Sequence, residues 1–157
     1  MSSVEIAPIV KTIEVTCTAP EAFRLFTEEM GRWWPLETHT RAATTEGEKP
    51  VGVTVEPRVG GRVFETLQNG AELDWGQVIT YQPGELFAMS WQLDRPSSQA
   101  TAVRVSFQPL DEVSCRVTLT HEGWERLGDE AGRLHDAYTS GWSGVFEQCF
   151  GEFAGRR

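Results

Sequence analysis

The sequence predicts an α+β fold. A curved antiparallel sheet of about seven strands wraps round one long C-terminal helix, with one or two short helices after the first strand. Three observations predict it. Apolar and polar residues alternate through residues 51–121, broken repeatedly by tight-turn signals, which is the pattern of hairpin-linked strands. Over residues 129–157 the apolar spacing changes to three and four, the period of a helix. No other segment is long enough to cover the apolar face that such a sheet must bury.

The elements follow in order. Ile9, Ile13, Val15 and Cys17 alternate within residues 6–17 and read as a strand. Thr18 and Glu21 stand three apart, as in a capping box, and open a helix carrying Ala22, Phe23, Phe26 and Met30 that Gly31 is expected to close. Trp33-Trp34-Pro35 follows. Residues 36–50 lack apolar periodicity and read as a long exposed loop, the kind that often forms a lid or mouth. Val51, Val53 and Val55 alternate, and Gly60-Gly61 turns into residues 62–68. Asn69-Gly70 is a strong hairpin signal because both residues tolerate positive φ. Leu73, Trp75, Gln77, Ile79 and Tyr81 are expected on one face of the next strand, and Pro83-Gly84 marks a type II turn. Phe87, Met89, Trp91 and Leu93 share a face, then Val103, Val105 and Phe107, then Val113, Cys115, Val117, Leu119 and His121. Leu134, Tyr138, Trp142, Val145, Cys149 and Phe153, widened by Phe146 and Phe150, form the helical stripe. Gly141 and Gly144 weaken that helix by about 1 kcal/mol each, which close approach of its backbone to the sheet would offset. No repeat or linker interrupts the chain, so residues 1–157 are expected to form one domain.

Composition removes several function classes. Lys and Arg number 14 against 23 Asp and Glu, a net charge of −9, whereas nucleic-acid and anionic-membrane partners need a basic footprint. No apolar run approaches a membrane span. Met1–Glu5 has neither a basic flank nor an apolar signal core, so a cytoplasmic protein is expected. Cys17, Cys115 and Cys149 are odd in number and far apart, as buried thiols in a reducing compartment would be. The six tryptophans are the unusual feature; they must fill a core or line a cavity.

The element order carries a set of motifs: Trp33-Trp34-Pro35, Gly60-Gly61-Arg62-Val63-Phe64-Glu65, Trp75-Gly76-Gln77-Val78, Pro83-Gly84-Glu85-Leu86, Leu119-Thr120-His121-Glu122-Gly123-Trp124 and Gly141-Trp142. Together they resemble the START-like (SRPBCC) superfamily, and within it the branch named for the activator of the ninety-kilodalton heat-shock protein's ATPase. The resemblance spans about residue 8 to 155. It implies a helix-grip fold with a cavity between the sheet and the C-terminal helix. The superfamily includes lipid and sterol carriers, hormone receptors, polyketide aromatase/cyclases, toxin-sequestering proteins and co-chaperone domains. It carries over no catalytic residue. A chaperone partner is a further expectation of the branch, set against the lack of the additional domain that eukaryotic co-chaperones use.

Candidate site residues follow from the inward phases. Trp75, Met89, Trp91, Phe107, Tyr138, Trp142 and Phe146 are the wall expected round a flat or hydrophobic ligand, or else they simply fill the core. Trp34 or its neighbour Trp33 guards an entrance or anchors a chain reversal, and His39 and Arg41 in the loop could meet a polar ligand end. Glu65 faces inward if Val63 and Leu67 do, as a cavity carboxylate suited to acid–base work; the opposite phase puts it on the surface. His121 either faces the cavity as a proton carrier or ties a strand end to a loop.

Enzyme signatures are poor. His121-Glu122 lacks the second histidine of a zinc-protease motif, and His39, His121 and His135 have no metal-ligand spacing. No metal or cofactor is therefore expected. Three functions remain: a binding protein for a small hydrophobic or aromatic molecule, a cyclase or hydratase using Glu65 or His121, and a protein-interaction module; the chain acts as monomer or homodimer. Deleting residues 134–157 removes the only cover for the sheet. The truncated chain should be unfolded or aggregated, and a well-dispersed NMR spectrum from it would contradict the fold assignment.

Overall fold

In the computed structural model, which describes residues 6–155, one antiparallel sheet of seven strands curls round the C-terminal helix. Met1–Glu5, read above for the lack of a signal, lies outside the described residues. The strands are β1 (Ile9–Val15), β2 (Gly52–Val55), β3 (Arg62–Thr66), β4 (Glu72–Gln82), β5 (Leu86–Trp91), β6 (Thr101–Pro109) and β7 (Cys115–Glu122). β2 to β7 follow one another as a meander, and β1 closes the order by pairing with β7, Ile9 opposite His121 and Val15 opposite Cys115.

Turn chemistry accounts for the meander. Gly60, Gly70 and Gly84 all have positive φ at the turns that precede β3, β4 and β5. β6 and β7 keep a strict inward set, with Val103, Val105, Phe107, Cys115, Val117, Leu119 and His121 all buried. Val113 is not part of it. It sits in the β6–β7 turn, 64% exposed, its N–H donating to Asp111 Oδ1.

β4 departs from simple alternation. Its register slips twice, once where Val63 pairs with Gly76 but Phe64 with Asp74, and again between Val78 and Thr80. Each slip adds a residue to one strand and switches which side chains face in. Trp75 and Val78 are buried, while Gln77 and Ile79, expected to share the face of Trp75, are exposed. Gly76 makes this local geometry feasible: a Cβ there would overlap the Ser90 carbonyl oxygen and lie 2.8 Å from its carbon.

Two short helices plug one end of the sheet. Thr18 caps α1 (Ala19–Thr27) by accepting the Glu21 N–H, but the Glu21 side chain pairs with Arg24 instead of returning to the cap. α1 ends at Glu28, and Gly31, expected to close it, lies inside α2 (Met30–Trp33). There a Cβ would come within 3.1 Å of Val53 N, so glycine lets α2 sit on β2. Phe26 of α1 packs on Trp33, Phe87, Phe107 and Phe150 at centroid distances of 5.1, 6.0, 6.2 and 5.2 Å.

After a 3₁₀ segment (Trp124–Glu130), α3 runs from Ala131 to Trp142. It continues through π-helical turns over Ser143–Phe150 and a last α-turn, Gly151–Ala154. Its end is tied to β1 by the Gly155 carbonyl, which accepts from both the N–H and the hydroxyl of Thr16 at 2.8 Å. Gly141 and Gly144 do not mark close approach to the sheet: a Cβ on either would meet nothing within 4 Å. Trp142, Val145, Phe146 and Phe150 supply the buried stripe. No helix among the described residues is long and apolar enough to cross a membrane.

Candidate ligand cavity

The space between sheet and helix is filled at one end and open at the other. Around α1, phenylalanines close it. Beyond them lies a cavity of about 310 Å³, at the lower end of the range of small-molecule sites. Trp75, Trp91 and Leu93 line it from the sheet, and Ala137, Tyr138, Gly141, Trp142 and Val145 line it from α3. Trp34 and a roof formed by Thr38, His39, Thr40, Arg41, Thr44 and Thr45 complete it. Thr38, His39, Thr44, Thr45 and Asp94 are exposed and mark its mouth. A second cavity of about 190 Å³ shares Trp91, Leu93, Asp94 and Tyr138 with the first, so the Trp91–Tyr138 pair stands between them.

Four tryptophans form the wall. Trp34 lies 4.9 Å from Trp75 and 5.9 Å from Trp142; Trp91 lies 5.6 Å from Trp75 and 5.4 Å from Trp142. A buried indole N–H needs an acceptor, and each of these has one within the protein. Trp34 donates to the His39 carbonyl at 2.7 Å, Trp75 to Glu65 Oε1 at 2.7 Å, Trp91 to the Tyr138 hydroxyl at 2.9 Å and Trp142 to His121 Nδ1 at 3.0 Å. The indoles therefore offer the cavity carbon surface and π-faces.

Glu65 is fully buried, which settles its phase on β3, but it does not line the cavity. Its Oε1 accepts from the Arg41 backbone N–H (2.7 Å) and from Trp75, and its Oε2 accepts from the Ala42 N–H (2.8 Å). With three donors in place, it is a tie between β3, β4 and the roof. The roof is not the featureless loop expected from its polarity, because Ala42–Glu46 forms a π-helical turn. The Thr40 hydroxyl donates to the Leu36 carbonyl, that of Thr44 to the Thr40 carbonyl and that of Thr45 to the Arg41 carbonyl. That spacing of four was the one signal of helical structure the sequence contained.

His121 is also fully buried and outside the cavity. Since Nδ1 accepts from Trp142, the ring proton sits on Nε2 and donates to Thr101 Oγ1 at 2.7 Å; the Thr101 hydroxyl donates on to the Trp91 carbonyl. Burial pushes the imidazole pKa down to about 3, and the nearby His135 adds to the shift. His121 is thus a neutral brace behind Trp91 and Trp142.

Of the other expected wall residues, Trp34, Trp75, Trp91, Tyr138 and Trp142 line the cavity, whereas Met89, Phe107 and Phe146 do not. These three face inward and are buried, but Phe107 and Phe146 belong to the phenylalanine-filled end, where Phe26 lies 6.2 and 6.5 Å from them. Leu93, Asp94, Ala137, Gly141, Val145 and the roof threonines were missed as wall residues. Among the described residues, no group of three or more His, Cys, Asp or Glu side chains is arranged to hold a metal ion.

A sheet gripping a helix, with a cavity between them, defines the START-like helix-grip class. Residues 16–149 match the family described as activator of Hsp90 ATPase homolog 1-like protein, and the chain belongs to that family. Among solved structures it is similar to the anthrahydroquino-γ-pyrone synthase Txn09 in complex with a ligand, at 29% identity over 86% of this chain and 88% of that one, TM-score 0.59. It is also similar to an Hsp90 activator from Plasmodium falciparum (20% identity, 97% and 99% covered, TM-score 0.63). A third similar structure is CalC, a self-sacrificing resistance protein from Micromonospora echinospora (20%, 94% of each chain, TM-score 0.65). No curated protein matches the sequence.

The His121 environment makes stability depend on pH. The folded imidazole titrates near 3 and the ordinary value is 6.5, so between these values the unfolded chain binds more protons. This contribution is therefore fully present above about pH 6.5 and is lost as pH falls toward 3. The slope reaches at most about 1.4 kcal/mol per pH unit. Urea denaturation from pH 7.5 to 4 should show His121→Asn losing less stability on acidification than the native chain; equal losses would contradict the assignment.

Proposed function

We propose that this chain, acting as one cytoplasmic domain, binds a flat aromatic molecule in the four-tryptophan cavity. The observation that carries this reading is that all four indole N–H groups are already engaged by acceptors of the protein itself. A wall that used those groups for ligand polarity would leave them free. This one leaves faces, which suit stacked or edge-on contact with another aromatic system. Apolar burial would contribute about 25 cal/mol per Å² before the costs of association.

Two further features support it. Gly141 lines the cavity with open space where its side chain would stand, inside a helix that glycine weakens. Retained volume explains a glycine there where close packing does not. Txn09, at 29% identity, is by name a synthase of an anthrahydroquinone fused to a pyrone, a flat polycycle.

That relative also favours a second reading, a cyclase-type enzyme on a similar substrate. Its acid–base groups would then be cavity residues such as Tyr138 or His39, because Glu65 and His121 are bound into the framework.

Titration with a neutral hydroxymethyl-anthraquinone, read by tryptophan fluorescence, tests the binding. Saturable quenching is expected. Gly141→Leu should weaken it at least tenfold while holding or raising the thermal midpoint, since leucine favours the helix and occupies the cavity. Absence of saturable quenching, or unchanged affinity in the variant, would overturn the proposal.

A further inference from the structure

Two arginines in this chain turn the same edge of the guanidinium to a carboxylate, and in a third that edge lacks a partner. The side-on edge of a guanidinium, Nε–H with Nη2–H, is the fork that matches a carboxylate. Arg24 turns this fork to Glu21, with Nε 3.3 Å from Oε2 and Nη2 2.7 Å from Oε1. Arg62 turns it to Asp74 Oδ1, at 3.0 and 2.6 Å.

Arg41 differs. Its Nη1 donates to the Asp74 carbonyl at 2.9 Å, which fixes the opposite edge, and its Nε is buried with no hydrogen-bond partner. Among the described residues it is the only buried side-chain nitrogen or oxygen in that condition. No carboxylate pairs with Arg41 among the described residues, although the chain carries 23 acidic residues; the side chain of neighbouring Asp74 is taken by Arg62. Arg41 lines the cavity, and the Glu65 tie to its backbone N–H and to that of Ala42 holds its position in the roof.

We propose that the open fork of Arg41 is the polar subsite of the cavity and that it selects a planar aromatic ligand bearing a carboxylate. This rests on the aromatic-binding reading above. A buried guanidinium Nε–H without an acceptor carries a desolvation cost that a bound carboxylate removes. Asp94, the acidic side chain lining the cavity, is exposed at the mouth and forms no ion pair with Arg41 among the described residues. His39 is also exposed there, its Nδ1 2.7 Å from the Thr38 hydroxyl. The net charge of −9 repels anions at long range, so any preference for an acid arises from local geometry.

The test compares an anthraquinone carboxylate with its carboxamide, the two having nearly the same shape. Native protein should bind the carboxylate about tenfold or more tightly. Arg41→Met should erase that preference, so that carboxylate and carboxamide then bind about equally, and Arg41→Lys, which keeps the charge but not the fork, should retain only part of it. Equal affinities in the native protein, or a preference that survives Arg41→Met, would overturn the arginine assignment and leave aromatic binding standing. Failure of both probes to bind would overturn the aromatic-binding reading, and this inference with it. If Arg41→Met fails to fold, the Arg41→Lys comparison decides: a full native preference in that variant overturns the fork.

Discussion

A buried carboxylate organises the working half of this molecule. Glu65 is fully inaccessible to solvent, and a polar group in that position is tolerated only if donors replace its lost water. The structure brings three, two from the backbone of the roof and one from Trp75. Satisfying one side chain therefore fixes a wall tryptophan and pins a fifteen-residue polar segment (36–50) over the cavity. It also sets where Arg41 begins, and hence which edge of its guanidinium the Asp74 carbonyl can hold.

His121 plays the matching part on the other side. Its ring joins Trp142 to Thr101, and through the Thr101 hydroxyl to the backbone beside Trp91. Both residues that looked most like catalysts are thus behind the wall, where they take the N–H groups of Trp75 and Trp142 and leave aromatic faces toward the opening. The same fold fills its far end with Phe26, Phe87, Phe107, Phe146 and Phe150, whose rings need no such partners. Phenylalanine closes one half, and tryptophan with tied N–H groups keeps the other open.

Much of the fold was legible in the sequence because its turns are chemically explicit: Asn69-Gly70 and Pro83-Gly84 admit few alternatives, and β6 and β7 alternate without a break. β4 was misread at Gln77 and Ile79 because a bulge changes phase without changing composition, whereas Tyr81 packs on Phe23 and Phe87 as expected. β3 was ambiguous for a related reason, since Val63, Phe64 and Glu65 are all buried and no alternation exists to read. Periodicity shows which side of a strand faces in but not which end of the cavity it reaches. Hence one logic assigns Trp75, Trp91, Met89, Phe107 and Phe146 alike to the wall, whereas Trp75 and Trp91 line the cavity and the other three do not. The roof was the hardest part. Its helical turn rests on threonine hydroxyls and on an acceptor from a distant strand, and neither leaves an apolar pattern.

Ligand binding in this cavity is felt by four particular indoles. Their N–H signals can be followed in a ¹H–¹⁵N correlation spectrum during titration with a planar aromatic molecule. Ring currents from a ligand in the cavity should move the Trp34, Trp75, Trp91 and Trp142 resonances together, with those of Trp33 and Trp124, which do not line it, moving least. Four unmoved wall indoles at saturating ligand, with shifts confined to Trp33, Trp124 or surface amides, would contradict it.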